Sequence, residues 1–145
     1  MTDQELEFND DVFVFETVMR VRNTEIDVGQ HLTLESLITL LAEARARFLY
    51  SKGIKEINSD YQGLIISDLQ LKVVSRVRAR EELLFELGVE QISDKSGDMA
   101  IKVTRMYDGS LVAKARKRFI QYDYRSNKAI SFHNDIKEAL EQKPF

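Results

Sequence analysis

The chain has 145 residues, 43% hydrophobic and 31% charged, the proportions of one soluble domain able to bury a core. Twenty-one Lys and Arg against 24 Asp and Glu leave a net charge of -3, too balanced for a protein built to coat nucleic acid or an anionic membrane. Cysteine is absent and only His31 and His133 supply imidazole, which excludes disulfides, thiolate nucleophiles, sulfur-ligated zinc and clustered-histidine metal sites.

The N-terminus lacks the basic start and apolar stretch of a signal peptide, and the best apolar run is interrupted by Glu35, Glu43, Arg45 and Arg47. A cytoplasmic protein with no membrane association is the expectation. Residues 1–145 read as a single domain. Within it, 1–11 form an acidic, solvated leader with five acids and no base, and 124–145 form a C-terminal tail with a short helix.

Val, Phe and Thr are dense over 12–21, which predicts a strand. A polar loop follows over 22–30. From 33 to 52 the apolar period becomes helical, with Leu34, Leu37, Leu41, Ala44 and Phe48 on one stripe, widened by Ile38 and Leu49. Thr33 is the expected N-cap, Gly53 the left-handed stop, and Glu43 with Arg47 a surface pair.

Beyond the turn at 58–63 the pattern is that of half-apolar strands. Ile65, Leu69, Leu71, Val73 and Val77 are expected on one face of the first, opposite Asp68, Gln70, Lys72, Arg76 and Arg78. Leu83, Phe85, Leu87 and Val89 define a second; Met99, Ile101 and Val103 a third; Leu111, Ala113, Ala115 and Phe119 a fourth. Turns are expected at 95–98 and at Asp108-Gly109, the latter a tight-hairpin signal. A short helix is expected over 135–142, with Asp135 and Glu138 at capping-box spacing. One strand, one long helix and four further strands predict an α+β domain, the helix lying across the apolar face of a five-stranded antiparallel sheet.

No nucleophile elbow or glycine-rich phosphate loop occurs. Chemistry-bearing residues gather instead just before the long helix, where Asp27, His31, Thr33 and Glu35 stand close in sequence. Free N–H groups and the positive dipole end of a helix can polarise a carbonyl oxygen there, and a carboxylate nearby can attack or activate water. Read without further context, Asp27 is a loop aspartate that caps a turn or pairs with Arg22. Glu35 is a rival carboxylate, and His31 reads as an organiser of the loop.

Asp27, His31 four residues later, and a helix containing Ala42-Glu-Ala-Arg45 and Phe48-Leu49 resemble the hotdog-fold acyl-CoA thioesterases of the hydroxybenzoyl-CoA thioesterase type. The strands beginning Leu69-Gln-Leu-Lys-Val-Val, Glu81-Glu-Leu-Leu and Asp108-Gly-Ser-Leu-Val-Ala extend the similarity over roughly 12–123. Glu25-Ile26-Asp27 stands where the family often has Asp-Thr-Asp.

The resemblance implies a hotdog fold, a five-stranded antiparallel sheet wrapped around one central helix, and hydrolysis of an acyl-CoA or acyl-carrier thioester. Asp27 then matches the catalytic carboxylate. The helix start near Thr33, Leu34 and Glu35 supplies the oxyanion hole, with His31 supporting the loop. The site implied lies at the interface of a homodimer, or a dimer of dimers, where the partner's loop and second strand bring Tyr61, Gln62 and Gly63 to the pocket. Coenzyme A enters only as part of the substrate, and no metal or redox cofactor is implied.

The outward face of the strands carries eight bases (Lys72, Arg76, Arg78, Arg80, Lys102, Lys114, Arg116, Arg118) and four acids (Asp68, Glu82, Glu86, Glu90). Cross-strand ion pairs account for most of that face. Arg76, Arg78 and Arg116 are the candidates for contact with CoA phosphates. No aromatic platform interleaves these charges, so nucleic acid is not an expected partner. The alternative reading is a non-catalytic hotdog module that binds acyl thioesters or a protein partner.

Overall fold

A computed structural model describes residues 6–141. The first five residues of the acidic leader and the end of the helix expected over 135–142 lie outside them.

The elements run β1 (Phe15–Arg20), α1 (Leu34–Ser51), β2 (Gln62–Val73), β3 (Glu82–Ile92), β4 (Gly97–Arg105), β5 (Leu111–Asp123), β6 (Lys128–Ile130) and α2 (Asn134–Glu141). The main sheet has the order β1-β3-β4-β5-β2 and is antiparallel throughout. This is the five-stranded sheet expected from the sequence, with one addition. The short β6 pairs with Gln121–Asp123 of β5, beyond the point where β4 ends at Gly97 opposite Phe119.

Helix α1 lies on the inner face. Its Leu37, Leu40, Leu41, Ala44, Phe48 and Leu49 are buried with Leu83, Phe85, Leu87, Met99, Ile101, Val103, Ala113, Ala115 and Phe119 of the sheet. Each large apolar side chain buried there contributes about 1.5–3 kcal/mol. Thr33 caps the helix as expected, its hydroxyl accepting from the Ser36 N–H at 3.1 Å. Gly53 follows the last turn at φ +72°, the conformation that makes glycine the favoured stop. Glu43 and Arg47 pair at 2.8 Å. Leu34, expected on the buried stripe, is 53% exposed, and Leu40 is buried instead. The first helical turn overhangs a cleft rather than the core.

Strand β2 corrects the expected alternation. Its register against β5 slips between Ile66 and Asp68. The extra residue reverses the sides, so Leu64 and Ile66 pack toward the core while Ile65 falls opposite Ile120 on the outer side. Leu69, Leu71 and Val73 stay on the inner side after the bulge. The Asp108-Gly109 turn forms, but as a loop over 106–110 closed by the Arg105 N–H on the Ser110 carbonyl at 2.9 Å.

Both chain ends do more than the sequence implied. Leu6 is buried, Glu7 pairs with Lys114, and Arg116 sits over the Phe8 ring, so the described part of the leader is laid on the sheet. Within the tail, Phe132 and Leu140 join the core. Asp135 lies one residue inside α2, with Oδ1 accepting from the Ile136 N–H at 2.9 Å, instead of standing ahead of the helix as a cap. Among the described residues no helix is long and apolar enough to cross a membrane.

Candidate active site

The segment leading into α1 is folded by backbone hydrogen bonds to its neighbours. Val21 is fully buried and exchanges bonds with the β2–β3 connection, donating to the Glu81 carbonyl and accepting from the Arg80 N–H. A 3-10 turn follows at Asn23–Glu25. Bridges between Ile26 and Leu32 and between His31 and Arg78 then clamp the loop. Leu32 donates to the Val77 carbonyl at 2.7 Å and Thr33 to the Glu25 carbonyl at 3.0 Å.

Asp27 sits at the tip of this small hairpin. Its Oδ1 accepts from the Gly29 N–H at 2.9 Å and the His31 N–H at 3.1 Å. The loop closes through the Asp27 N–H on the His31 carbonyl at 2.9 Å, with Gln30 in the left-handed region at φ 69°. The His31 and Gly29 N–H bonds, with the nearby positive charge of Arg76, hold the Asp27 carboxyl below its usual range against a smaller cost of desolvation. It is therefore ionised at neutral pH. His31 meets the loop through its main chain, its N–H on Asp27 Oδ1 and its carbonyl on the Asp27 N–H.

Arg22, the other partner weighed for Asp27, is committed to Glu25. Its N–H donates to Glu25 Oε1 at 2.7 Å and its guanidinium to Oε2 at 2.9 Å. Glu25 is 6% exposed. Burial pushes its carboxyl upward, but the Arg22 hydrogen bonds and charge outweigh that and hold it low. Glu25 thus anchors the turn through its side chain and Thr33 through its carbonyl. In the sequence Glu25 stands out only as a departure from a family pattern, and its spacing of three from Arg22 is the local signal of the pair.

Asp27, His31, Thr33, Leu34 and Glu35 line one cleft of about 470 Å³, closed on the other side by Val73, Ser75, Arg76, Val77 and Val112. Here the helix start offers free donors. The Thr33 N–H is spent on Glu25 and the Ser36 N–H on the cap, whereas those of Leu34 and Glu35 have no acceptor among the described residues. The helix start, with these donors and its dipole, lines the same cleft as the ionised carboxylate of Asp27. Glu35 is exposed at the rim, and its carbonyl accepts from the Thr39 hydroxyl.

The basic candidates separate. Arg76 lines the cleft, and its carbonyl is held by the Arg105 guanidinium. Arg105 also binds Glu81, Ser75 and Ser110 at 3.0–3.1 Å, tying the β2–β3 connection beneath the site. No local pattern signals that role, because the partners lie up to 30 residues away. Arg78 is exposed, its N–H on Glu81. Arg116 stands away from Asp27 on the outer face, engaged with Glu90 and Gln70. With Arg118 on Asp98 at 3.0 Å, it gives that face the ion-paired character expected.

Tyr61, Gln62 and Gly63 lie at the far end of β2, a strand of 12 residues and about 40 Å, so within one chain they do not reach Asp27. Gln62 Oε1 meets His133 Nε2 there at 2.6 Å. Among the described residues no three His, Cys, Asp or Glu side chains cluster at metal-binding distance.

Comparison with known proteins places the chain in a family. Residues 21–140 match the family model of the thioesterase-like superfamily. The long-chain acyl-CoA thioesterase FadM of Escherichia coli strain K12 is 24% identical over 128 residues, 88% of this chain and 97% of that protein. Among solved structures, Slr0204, a 1,4-dihydroxy-2-naphthoyl-CoA thioesterase from Synechocystis, superposes with a TM-score of 0.80 at 15% identity, covering 87% of this chain and 94% of its own. The protein SAV2348 from Staphylococcus aureus, solved in complex with CoA, also gives 0.80 at 17% identity, with 90% and 86% covered. The long match across loop, helix and sheet makes this chain a member of the thioesterase-like superfamily, a thioester hydrolase of the hotdog fold.

Proposed function

We propose that the protein hydrolyses acyl-CoA thioesters in the cytoplasm, with Asp27 as the reacting carboxylate and the Leu34 and Glu35 N–H groups as the oxyanion hole. The observation that carries this reading is the shared cleft, lined both by an ionised carboxylate and by the residues whose helix-terminal N–H groups have no acceptor among the described residues. A thioester carbonyl seated on those donors gains stabilisation as its oxygen becomes negative. Asp27 then attacks the carbonyl carbon, the C–S bond breaks, CoA leaves as the thiol after taking a proton, and water cleaves the resulting anhydride. In the alternative course Asp27 takes a proton from water, which attacks directly.

The site is completed in a homodimer on this reading. Strand β2 is the outer strand of the sheet, bridged on that side at its foot, where Gly63 meets Ile57 next to Tyr61, with Leu69 and Val73 exposed further along. Antiparallel pairing of two such edges brings the foot of one beside the head of the other. Tyr61, Gln62 and Gly63 of the partner subunit would then close the Asp27 cleft, and Arg76 at its mouth would meet the CoA phosphates. No cofactor beyond the substrate's CoA takes part.

The test is release of free CoA from acyl-CoAs of graded length, comparing wild type with Asp27→Asn. Loss of turnover in the variant, with oligomer and melting temperature kept, is the expected result. Unchanged turnover would move the chemistry to Glu35; silence of the wild type across the panel would leave a binding module.

A further inference from the structure

His133, the second of the two histidines, meets the foot of β2 with its ring. Its Nε2 stands 2.6 Å from Gln62 Oε1, a contact that spans 71 positions of sequence. His133 is exposed, yet its backbone is fixed on both sides. The His133 N–H donates at 3.0 Å to Oε1 of Gln121, which is fully buried in β5. The His133 carbonyl accepts from the Ile136 and Lys137 N–H groups at the start of α2, each at 3.1 Å. Gln62 is held as firmly: its N–H donates to Asn58 Oδ1 at 3.0 Å, and its carbonyl accepts from the Asn58 N–H at 2.8 Å.

The ring contact decides which way the Gln62 amide points. A carboxamide oxygen can only accept, so the imidazole donates through Nε2–H. With Oε1 engaged in this way, trigonal geometry turns the amide NH2 away from the ring. Neither of its N–H groups has an acceptor among the described residues. An exposed glutamine without such a partner spreads over many rotamers and loses that freedom when it binds. Here two donors are ordered in advance and unspent.

The paired-edge dimer gives those donors a use. The outer side of β2 is taken at the foot, where the Leu64 N–H donates to the Glu56 carbonyl at 3.3 Å, and the strand then runs on to Val73. Antiparallel pairing of the stretch 65–73 with its copy carries the foot of one chain past residues 75–77 of the other. Ser75, Arg76 and Val77 line the Asp27 cleft.

We propose that His133 is a positioning residue: it sets Gln62 so that the amide donates a hydrogen bond to a carbonyl oxygen of the substrate in the partner subunit's cleft. This rests on the thioesterase reading and on its dimer. Each cleft then draws its carboxylate and helix-start donors from one chain. The further amide donor, held by His133, comes from the other.

The test measures kcat/KM for dodecanoyl-CoA in wild type, Gln62→Ala, His133→Ala, His133→Gln and the double variant Gln62→Ala with His133→Ala, with melting temperature and oligomer size for each. His133→Ala and Gln62→Ala are each expected to lose about tenfold, and the double variant no more than Gln62→Ala alone. His133→Gln, whose side-chain N–H can donate in place of Nε2–H, is expected to recover most of the loss. Equal co-expression of Asp27→Asn and His133→Ala subunits is expected to return about a quarter of wild-type activity, because half the dimers are hybrids with one intact site. Recovery to only about a twentieth, the value if His133 served its own chain's site, overturns the proposal. So do wild-type activity in His133→Ala, a double variant weaker than Gln62→Ala, no recovery in His133→Gln, or dissociation of the His133→Ala oligomer. All of these leave the thioesterase reading intact, whereas a wild type inactive on every acyl-CoA overturns both.

Discussion

Asp27 and His31 hold each other through two main-chain contacts: the His31 N–H donates to Asp27 Oδ1 at 3.1 Å, and the Asp27 N–H donates to the His31 carbonyl at 2.9 Å. This reciprocal clasp leaves Oδ2 without a recorded partner while fixing the carboxylate at the cleft. The same bonds that position the group also keep it ionised.

The pH dependence of activity follows from that clasp. Asp27 is held below the ordinary aspartate range, near 3.9, so its acid limb lies lower still. The activity profile, kcat/KM against pH, is expected to stay flat from pH 7 down to about 5. An acid limb centred between pH 5 and 7 would show that a different group is titrating.

Gly29 offers a test of carboxylate placement. A Cβ at Gly29 would stand 3.3 Å from Asp27 Oδ1. Gly29→Ala is expected to lower kcat about tenfold or more, since small displacements of a reacting group are costly. Its melting temperature should stay within a few degrees of wild type. Full activity in this variant would mean that the carboxylate tolerates displacement.

Glu25 carries the loop instead of the chemistry. Glu25→Gln removes a buried, charge-assisted pair with Arg22 and is expected to cost about 1–3 kcal/mol at pH 7 by denaturant titration. Its folded pKa is depressed, so the stabilisation is present above the unfolded value and is lost as pH falls through the folded one. The gap between wild type and variant should therefore close on acidification. A gap that stays constant with pH would assign the loss to shape.

Lys117 gives the opposite stability sign. Burial, reinforced by Arg45, lowers its ammonium from 10.5 to about 8, so the folded state favours the neutral amine. Wild-type stability is expected to rise between pH 8 and 10.5 and to be fully gained above that range. Lys117→Met is therefore expected to be more stable than wild type at pH 7, with the difference shrinking as pH rises through that window. A destabilised variant at pH 7 would reveal a bound counter-anion in the free protein.

Gly88 tests the placement of the leader. A Cβ there would come within 1.7 Å of the Val12 carbonyl oxygen. Gly88→Ala is expected to destabilise by about 3 kcal/mol, because the obstacle is backbone. Wild-type stability in this variant would show that the segment before β1 does not cross β3.

The amino-acid order by itself determined the elements whose signals are local. The long helix from Thr33 to Gly53, the alternating strands β3 and β4, and the Glu43–Arg47 pair all arise from residues within a few positions of one another. The pairing of Asp27 with the helix start was legible for the same reason, since the residues are neighbours in sequence. Tertiary structure decided what depends on distant partners. The bulge in β2 turned Ile65 outward through its register with β5, and Arg105 reached across 30 residues to the strand connection beneath the site. Alternation along β5 sets Lys117 on the side of Ala113, Ala115 and Phe119, yet says nothing of how deeply that position is covered. Only the helix laid over it, with Arg45 on the facing turn, removes it from water.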